Sequence, residues 1–236
     1  MKLTKMSNFK FLKDRFAFTL AEVLITLGII GVVAALTLPT LIQKQTDRAN
    51  VAKLQKVYST LSQAYLFAKE EHGEIETWNI IDNNQNSTRE IFSYFEPYLK
   101  ILKKCDNKSG CWAQETKSLS GQTAQWSGSN KIGAHFYGFT LSDGTNISLD
   151  ICGGNYAYFG LGEKIKPPFV FFWVDVNGNK KPNMLGRDIF GFAIDKKGLI
   201  PFGAGDNAAS CSAQINNNTA GYGCAYKVIT EKTINY

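Results

Sequence analysis

Asp175, Asn177 and Asn179 alternate along one short stretch, and Asp188 closes the segment Asp175 to Asp188, DVNGNKKPNMLGRD. Alternation sets oxygen-bearing side chains on one side of a turn, and carboxylate and amide oxygens are the hard ligands that suit Ca²⁺. The order is not that of an EF-hand. Gly178 stands at loop position four rather than six, the twelfth residue is Gly186 rather than Glu, and Lys180 and Lys181 oppose a cation. The same Asp and Asn side chains can instead close a hairpin of Asx turns without any metal. The sequence leaves both readings open.

Other chemistry finds less support. The two histidines, His72 and His135, have no Ser, Cys or acid partner at a motif spacing. Gly160-Leu-Gly162-Glu-Lys164 lacks the GxxxxGK[ST] spacing that lets backbone amides surround a phosphate. Lys164, Lys166, Lys180, Lys181, Arg187, Lys196 and Lys197 gather around expected hairpins, but lysines also blunt sheet edges, so nucleic acid is not the expected partner. The chain is expected to be no enzyme.

Glu22 asks for a reason of its own. From Phe18 to Leu38, 21 residues hold this single charge, a run long enough to cross a bilayer core of about 30 Å as a helix. An acid at the centre of such a span costs roughly 2.5 to 3.5 kcal/mol. One answer is that Glu22, four residues from Phe18, snorkels to the interface. A second comes from residues 1 to 17, which hold Lys2, Lys5, Lys10, Lys13 and Arg15 against Asp14 and end in small Ala17. That pattern places a processing site before the apolar run, where an ordinary secretory signal is cut after it.

These residues resemble the prepilin N-terminal motif shared by type IV pilins and the pseudopilins of type II secretion systems. In that family a peptidase on the cytoplasmic side cuts before a Phe and methylates the new amine, and a Glu at the fifth mature position stays inside the span. The resemblance implies cleavage between Ala17 and Phe18, N-methylation of Phe18 and an assembly role for Glu22. Pro39 becomes the twenty-second mature residue, where many members also have Pro and where a helix is expected to bend. Members usually carry Gly before the cut, so Ala17 implies slower processing. In major pseudopilins a similar Asp and Asn loop near the C-terminal sheet carries calcium, and here the residue types match but their order does not.

The resemblance further implies a single-pass protein of the bacterial inner membrane. Its N-terminus would be cytoplasmic and its C-terminal domain periplasmic or extracellular, with homologous pilin or pseudopilin subunits and the prepilin peptidase as partners. Charge agrees with that orientation. Of the net +6, the first 17 residues hold +4, placed where the positive-inside rule keeps a terminus in the cytoplasm. Two other readings stand beside it. One is a soluble exported binding protein with an ordinary signal peptide cut after Val33-Ala34-Ala35, and the other is a DNA-binding pilin of a competence system.

The five cysteines, Cys105, Cys111, Cys152, Cys211 and Cys224, form no CxxC pair and have no His at ligand spacing, so disulfides in an oxidising compartment are expected before zinc. The local pairs Cys105 with Cys111 and Cys211 with Cys224 are the expected bridges, leaving Cys152 odd.

The elements that position these residues are an α+β set. Val51, Leu54, Tyr58, Leu61, Tyr65 and Ala68 recur at steps of three and four, so the helix runs on past the apolar segment until Gly73 caps it. A second helix is expected from Ser87, as N-cap of the box Ser87-Thr88-Arg89-Glu90, through Leu102 with a break at Pro97. Residues 105 to 131 read as a loop. Antiparallel strands are expected at 134–141, 146–151, 169–176, 188–195 and 199–202, with a last helix or strand at 226–234. The resulting division is a cleaved leader (1–17), a transmembrane and assembly helix (18–38), its continuation (39–73) and an extracytoplasmic α+β domain (74–236). A long N-terminal helix laid on a C-terminal antiparallel sheet is pilin-like.

Overall fold

The computed structural model describes residues 19–124, 135–153, 160–161, 168–205 and 211–236, the side chain of Cys152 excepted. Among these described residues three α-helices and six strands follow in the order α1 (Leu20–His72), α2 (Gln85–Phe95), β1 (Ile101–Asp106), β2 (Tyr137–Leu141), β3 (Asn146–Cys152), β4 (Phe169–Asp175), β5 (Ile189–Asp195), β6 (Gly198–Pro201) and α3 (Cys224–Glu231). The strands form one antiparallel sheet in sequence order. This is the expected α+β arrangement.

The chain divides into two compact units, one ending at Lys44 and one running from Gln45 to Tyr236. In the first, α1 is apolar and its side chains are exposed, Leu20, Ile30 and Leu36 among them. It is the one helix among the described residues long and apolar enough to cross a membrane. Pro39 lies inside α1 without ending it.

In the second unit the expected stripe is the buried face of α1. Val51, Leu54, Leu61, Tyr65 and Ala68 are buried, joined by Asn50, Val57 and Ala64, while Tyr58 is half-buried and reaches the Leu199 carbonyl at 3.2 Å. Each fully buried Leu or Val there contributes roughly 1.5 to 3 kcal/mol. This face shares a core with Ile147, Leu149, Val170, Phe172, Val174, Phe190 and Phe192 of the sheet. At its end Gly73 takes φ +82° and its N–H reaches Lys69 O at 2.9 Å, the left-handed cap a glycine allows.

Two elements differ from expectation. Asn84, not Ser87, caps α2, because its side chain accepts the N–H groups of Asn86 and Ser87 at 3.0 Å each, and Ser87 is turned inward to donate to Asn79 O. Pro97 then converts the chain to a 3-10 turn at Glu96–Tyr98, and Ile101–Asp106 is an edge strand rather than the end of a helix. Its pairing with β2 is broken by register shifts and its Leu102, Lys103 and Lys104 face solvent, which protects the edge. The last element is a helix, α3.

The sheet is buried on both faces. Every residue of β4 is buried, and behind it Phe169, Phe171 and Trp173 join Phe136, Ile189, Phe202 and Tyr222 in a second core. The Gly-rich tail supplies part of that cover. Phe202 lies so close to β5 that a Cβ on Gly191 would sit 2.1 Å from its ring.

Candidate functional site

The β4–β5 connection folds around Asp188. Its Oδ2 accepts from Asn177 Nδ2 at 3.1 Å and from the Asn183 N–H at 2.9 Å, and its Oδ1 accepts from the Met184 N–H at 2.6 Å. Asp175 Oδ1 in turn accepts the Asn177 N–H at 3.2 Å, the Asx turn expected of this sequence. Gly178 takes φ +69°, and a Cβ there would meet the Gly144 carbonyl at 2.7 Å, so the turn must be glycine to lie against the β2–β3 turn. Asn179 is spent on that neighbour, its Oδ1 accepting from Asn146 Nδ2 at 2.8 Å. The structure therefore brings Asp175, Asn177 and Asp188 together and draws Asn179 away.

What remains is a set of oxygens without donors. Asp175 Oδ2, Asn177 Oδ1 and Asn183 Oδ1 are all buried and accept no hydrogen bond among the described residues. Asp175 and Asp188 are fully buried. Burial, followed by the charge of Asp188, pushes the Asp175 carboxyl well up, and burial pushes Asp188 up to about 6. Lys53 is the cation whose charge acts on Asp175. A buried acceptor left unpaired costs about 1 to 3 kcal/mol, and a proton held on Asp175, a water or a cation can each take such lone pairs. A divalent cation of oxygen preference would find ligands in Asp175, Asn177 and Asn183, with Asp188 shaping the loop through the N–H groups it accepts, and would supply charge neutralisation. Among the described residues no three His, Cys, Asp or Glu side chains are grouped to hold a metal.

Glu22 has its own geometry at the start of α1. Its Oε2 accepts from both the Thr19 N–H and the Thr19 hydroxyl at 2.9 Å, and the Glu22 N–H donates to Thr19 Oγ1 at 3.2 Å. This is a reciprocal capping box, Thr19-Leu20-Ala21-Glu22, which satisfies donors that the first helical turn leaves free. The S/T-x-x-E spacing that signals such a box is present in the sequence at Thr19 and Glu22. Ala17 and Phe18 lie outside the described residues.

The remaining candidates are structural. Cys105 pairs with Cys111 and Cys211 with Cys224, as expected. His72 stacks on Tyr94 at 4.0 Å. Arg187 is held by Asp47 at 3.4 Å and by the Tyr236 carbonyl at 3.0 Å, while Lys180 and Lys181 are exposed. Lys164 and Lys166 lie outside the described residues.

His135 has a partner that spacing did not reveal. Its Nδ1 meets Asp150 Oδ1 at 2.6 Å in a largely buried contact, and this hydrogen bond raises the imidazole above its ordinary 6.5. Burial keeps the Asp150 carboxyl up at about 6 even beside His135. A raised histidine stabilises the fold below pH 6.5 and ceases to as pH climbs through its folded value. In NMR titration His135 is expected to protonate above 6.5, and Asp150→Asn to remove that upward shift; an unshifted His135 in the parent chain refutes the pairing.

Residues 40–228 match the family described as a family of unknown function, DUF6613. The chain belongs to this family. The part that matches DUF6613 starts just after Pro39 and takes in the whole β4–β5 connection and both disulfides, whereas the apolar first part of α1 precedes it. No curated protein and no solved structure matches the chain.

Proposed function

We propose that this DUF6613 member is a membrane-inserted, pilin-like subunit of the pseudopilin kind, which acts by assembling into a type II secretion pseudopilus or type IV pilus-like filament. A prepilin peptidase cuts it between Ala17 and Phe18 and methylates Phe18. It sits in the inner membrane with its N-terminus cytoplasmic, and α1 is the assembly element. The observation that carries the reading is a lone acid, Glu22, in the first turn of a helix whose following residues are apolar and exposed. Within a bundle of such helices, the freed ammonium of Phe18 beside the Glu22 of a neighbouring subunit neutralises two charges in a low-dielectric setting. N-terminal sequencing of the mature protein tests it. Methylated Phe18 is the expected first residue, and a chain beginning at Leu36 would instead make it a soluble exported protein released by an ordinary signal peptidase.

A second reading concerns the domain. The unpaired oxygens of the β4–β5 connection support a Ca²⁺ site there, with a structural role in holding the loop.

A further inference from the structure

Resting on the cation reading above, we propose that Asn183 and not Asn179 completes the ion's oxygen set, and that through Asn183 the ion fixes the segment around Lys117. Asn179 had the better claim by alternation. Its Oδ1 is already committed to Asn146, and using it for an ion would strip a hydrogen bond from the contact with β3. Asn183 Oδ1 is buried and has no donor, as are Asp175 Oδ2 and Asn177 Oδ1. All three belong to residues joined by hydrogen bonds around Asp188: the Asn177 amide and the Asn183 backbone N–H share its Oδ2, and Asp175 Oδ1 accepts the Asn177 N–H at 3.2 Å. The loop reaches this arrangement by a φ of +50° at Asn183, a conformation that Asn adopts more readily than most residues.

Asn183 also faces a second segment through its backbone. Its carbonyl accepts the Lys117 N–H at 2.9 Å, and two residues on, the Leu185 N–H donates to the Lys117 carbonyl at 2.9 Å, forming a short parallel bridge between Lys117 and Met184. From there Leu119 N–H reaches Ala220 O at 2.8 Å, so the bridge joins the β1–β2 connection to the tail. An ion that holds the Asn183 side chain thus holds one wall of the groove of about 700 Å³ that Trp112, Lys117, Lys181, Asn183 and Met184 line. Binding and the order of this segment are then linked, since whatever an ion stabilises in the loop it stabilises in the segment hydrogen-bonded to it.

The test uses the full-length chain in detergent, calcium chloride as titrant and calorimetry for affinity, with hydrogen exchange at the Lys117 and Leu185 amides as a readout of the linkage. Loss of even an outer-shell partner weakens metal binding about 10- to 100-fold, so Asn183→Ala is expected to weaken calcium binding by roughly tenfold or more, and Asn179→Ala by less than about threefold. Asn183→Asp, which keeps an oxygen at the position, should bind at least as tightly as the parent, and this variant separates loss of a ligand from loss of the fold. Calcium should slow exchange at Lys117 and Leu185 in the parent and in Asn183→Asp, and not in Asn183→Ala. Equal affinities for the parent and Asn183→Ala, or a large loss confined to Asn179→Ala, overturn the assignment while leaving a calcium site in place. A parent chain that takes up no calcium overturns the cation reading itself.

Discussion

Asp188→Ala is expected to destabilise the metal-free chain by a few kcal/mol, since each donor left without its acceptor away from water costs about 1 to 3 kcal/mol and the relief of Asp175 from a like charge offsets part of it. The side chain gathers the Asn177 amide and the backbone N–H groups of Asn183 and Met184, and its removal leaves those buried donors without an acceptor. The same change should abolish the increment that calcium gives the parent, roughly 2.7 kcal/mol at a hundred times the dissociation constant. Melting curves of both chains with calcium, magnesium and a chelator separate the two effects. A variant that melts with the parent in chelator would show that Asp188 does not organise the loop. A parent shift that magnesium reproduces in full would remove the ion and leave a hairpin closed by its own side chains. The hairpin and the cation are therefore not rivals here: Asp188 performs the first task by accepting those N–H groups, and the oxygens left over on Asp175, Asn177 and Asn183 are what a cation would use.

That distinction was only half legible in the sequence. Alternation at Asp175, Asn177 and Asn179 falls on the end of β4 and the turn after it, where Asp175 and Asn177 meet and Asn179 does not. It could not say which amide is diverted, because Asn146 comes from another strand and meets Asn179 only once the sheet is paired. Asn183 lies on the same period of two, but Lys181 interrupts the run of oxygen ligands and Pro182 separates it from the turn, so its one sequence signal is being a further Asn in a stretch already rich in oxygen ligands. His135 and Asp150 present the same difficulty, being 15 residues apart and joined by tertiary packing alone.

Elements whose pattern is local were legible. The α1 stripe and the strands from β2 to β6 came within a few residues of their bounds, and the two short-range cysteine pairs formed as expected. β1 was missed because an edge strand with Leu102, Lys103 and Lys104 all exposed shows no alternation, and the apolar residues before it continue the helical spacing of α2. The second core left a readable trace: Phe169 to Val174 is apolar without interruption, the mark of a strand covered on both faces. The cap of α2 went to Asn84 because Ser87, the better match to a box, is needed inside to satisfy Asn79 O.

Glu22→Gln is expected to leave folding and membrane insertion intact and to cut filament incorporation severely. The capping box tolerates Gln in place of Glu, because an amide oxygen can still accept from Thr19, so the first turn of α1 keeps its bonds. Insertion becomes easier once the charge is gone. What the variant cannot do is neutralise a neighbouring Phe18 ammonium. Leaving one member of a buried ion pair alone costs about 3 to 5 kcal/mol, which at 1.4 kcal/mol per factor of ten is a loss of more than about a hundredfold in subunit association. Glu22→Ala removes cap and charge together and adds roughly 1 kcal/mol at the helix end. Both variants can be compared with the parent by membrane fractionation for insertion and by the amount recovered in sheared filaments for assembly. Equal failure of Gln and Ala, with normal insertion of both, places the requirement on the charge. If Gln assembles normally and only Ala fails, Glu22 serves its own helix through Thr19, and the intersubunit register is refuted.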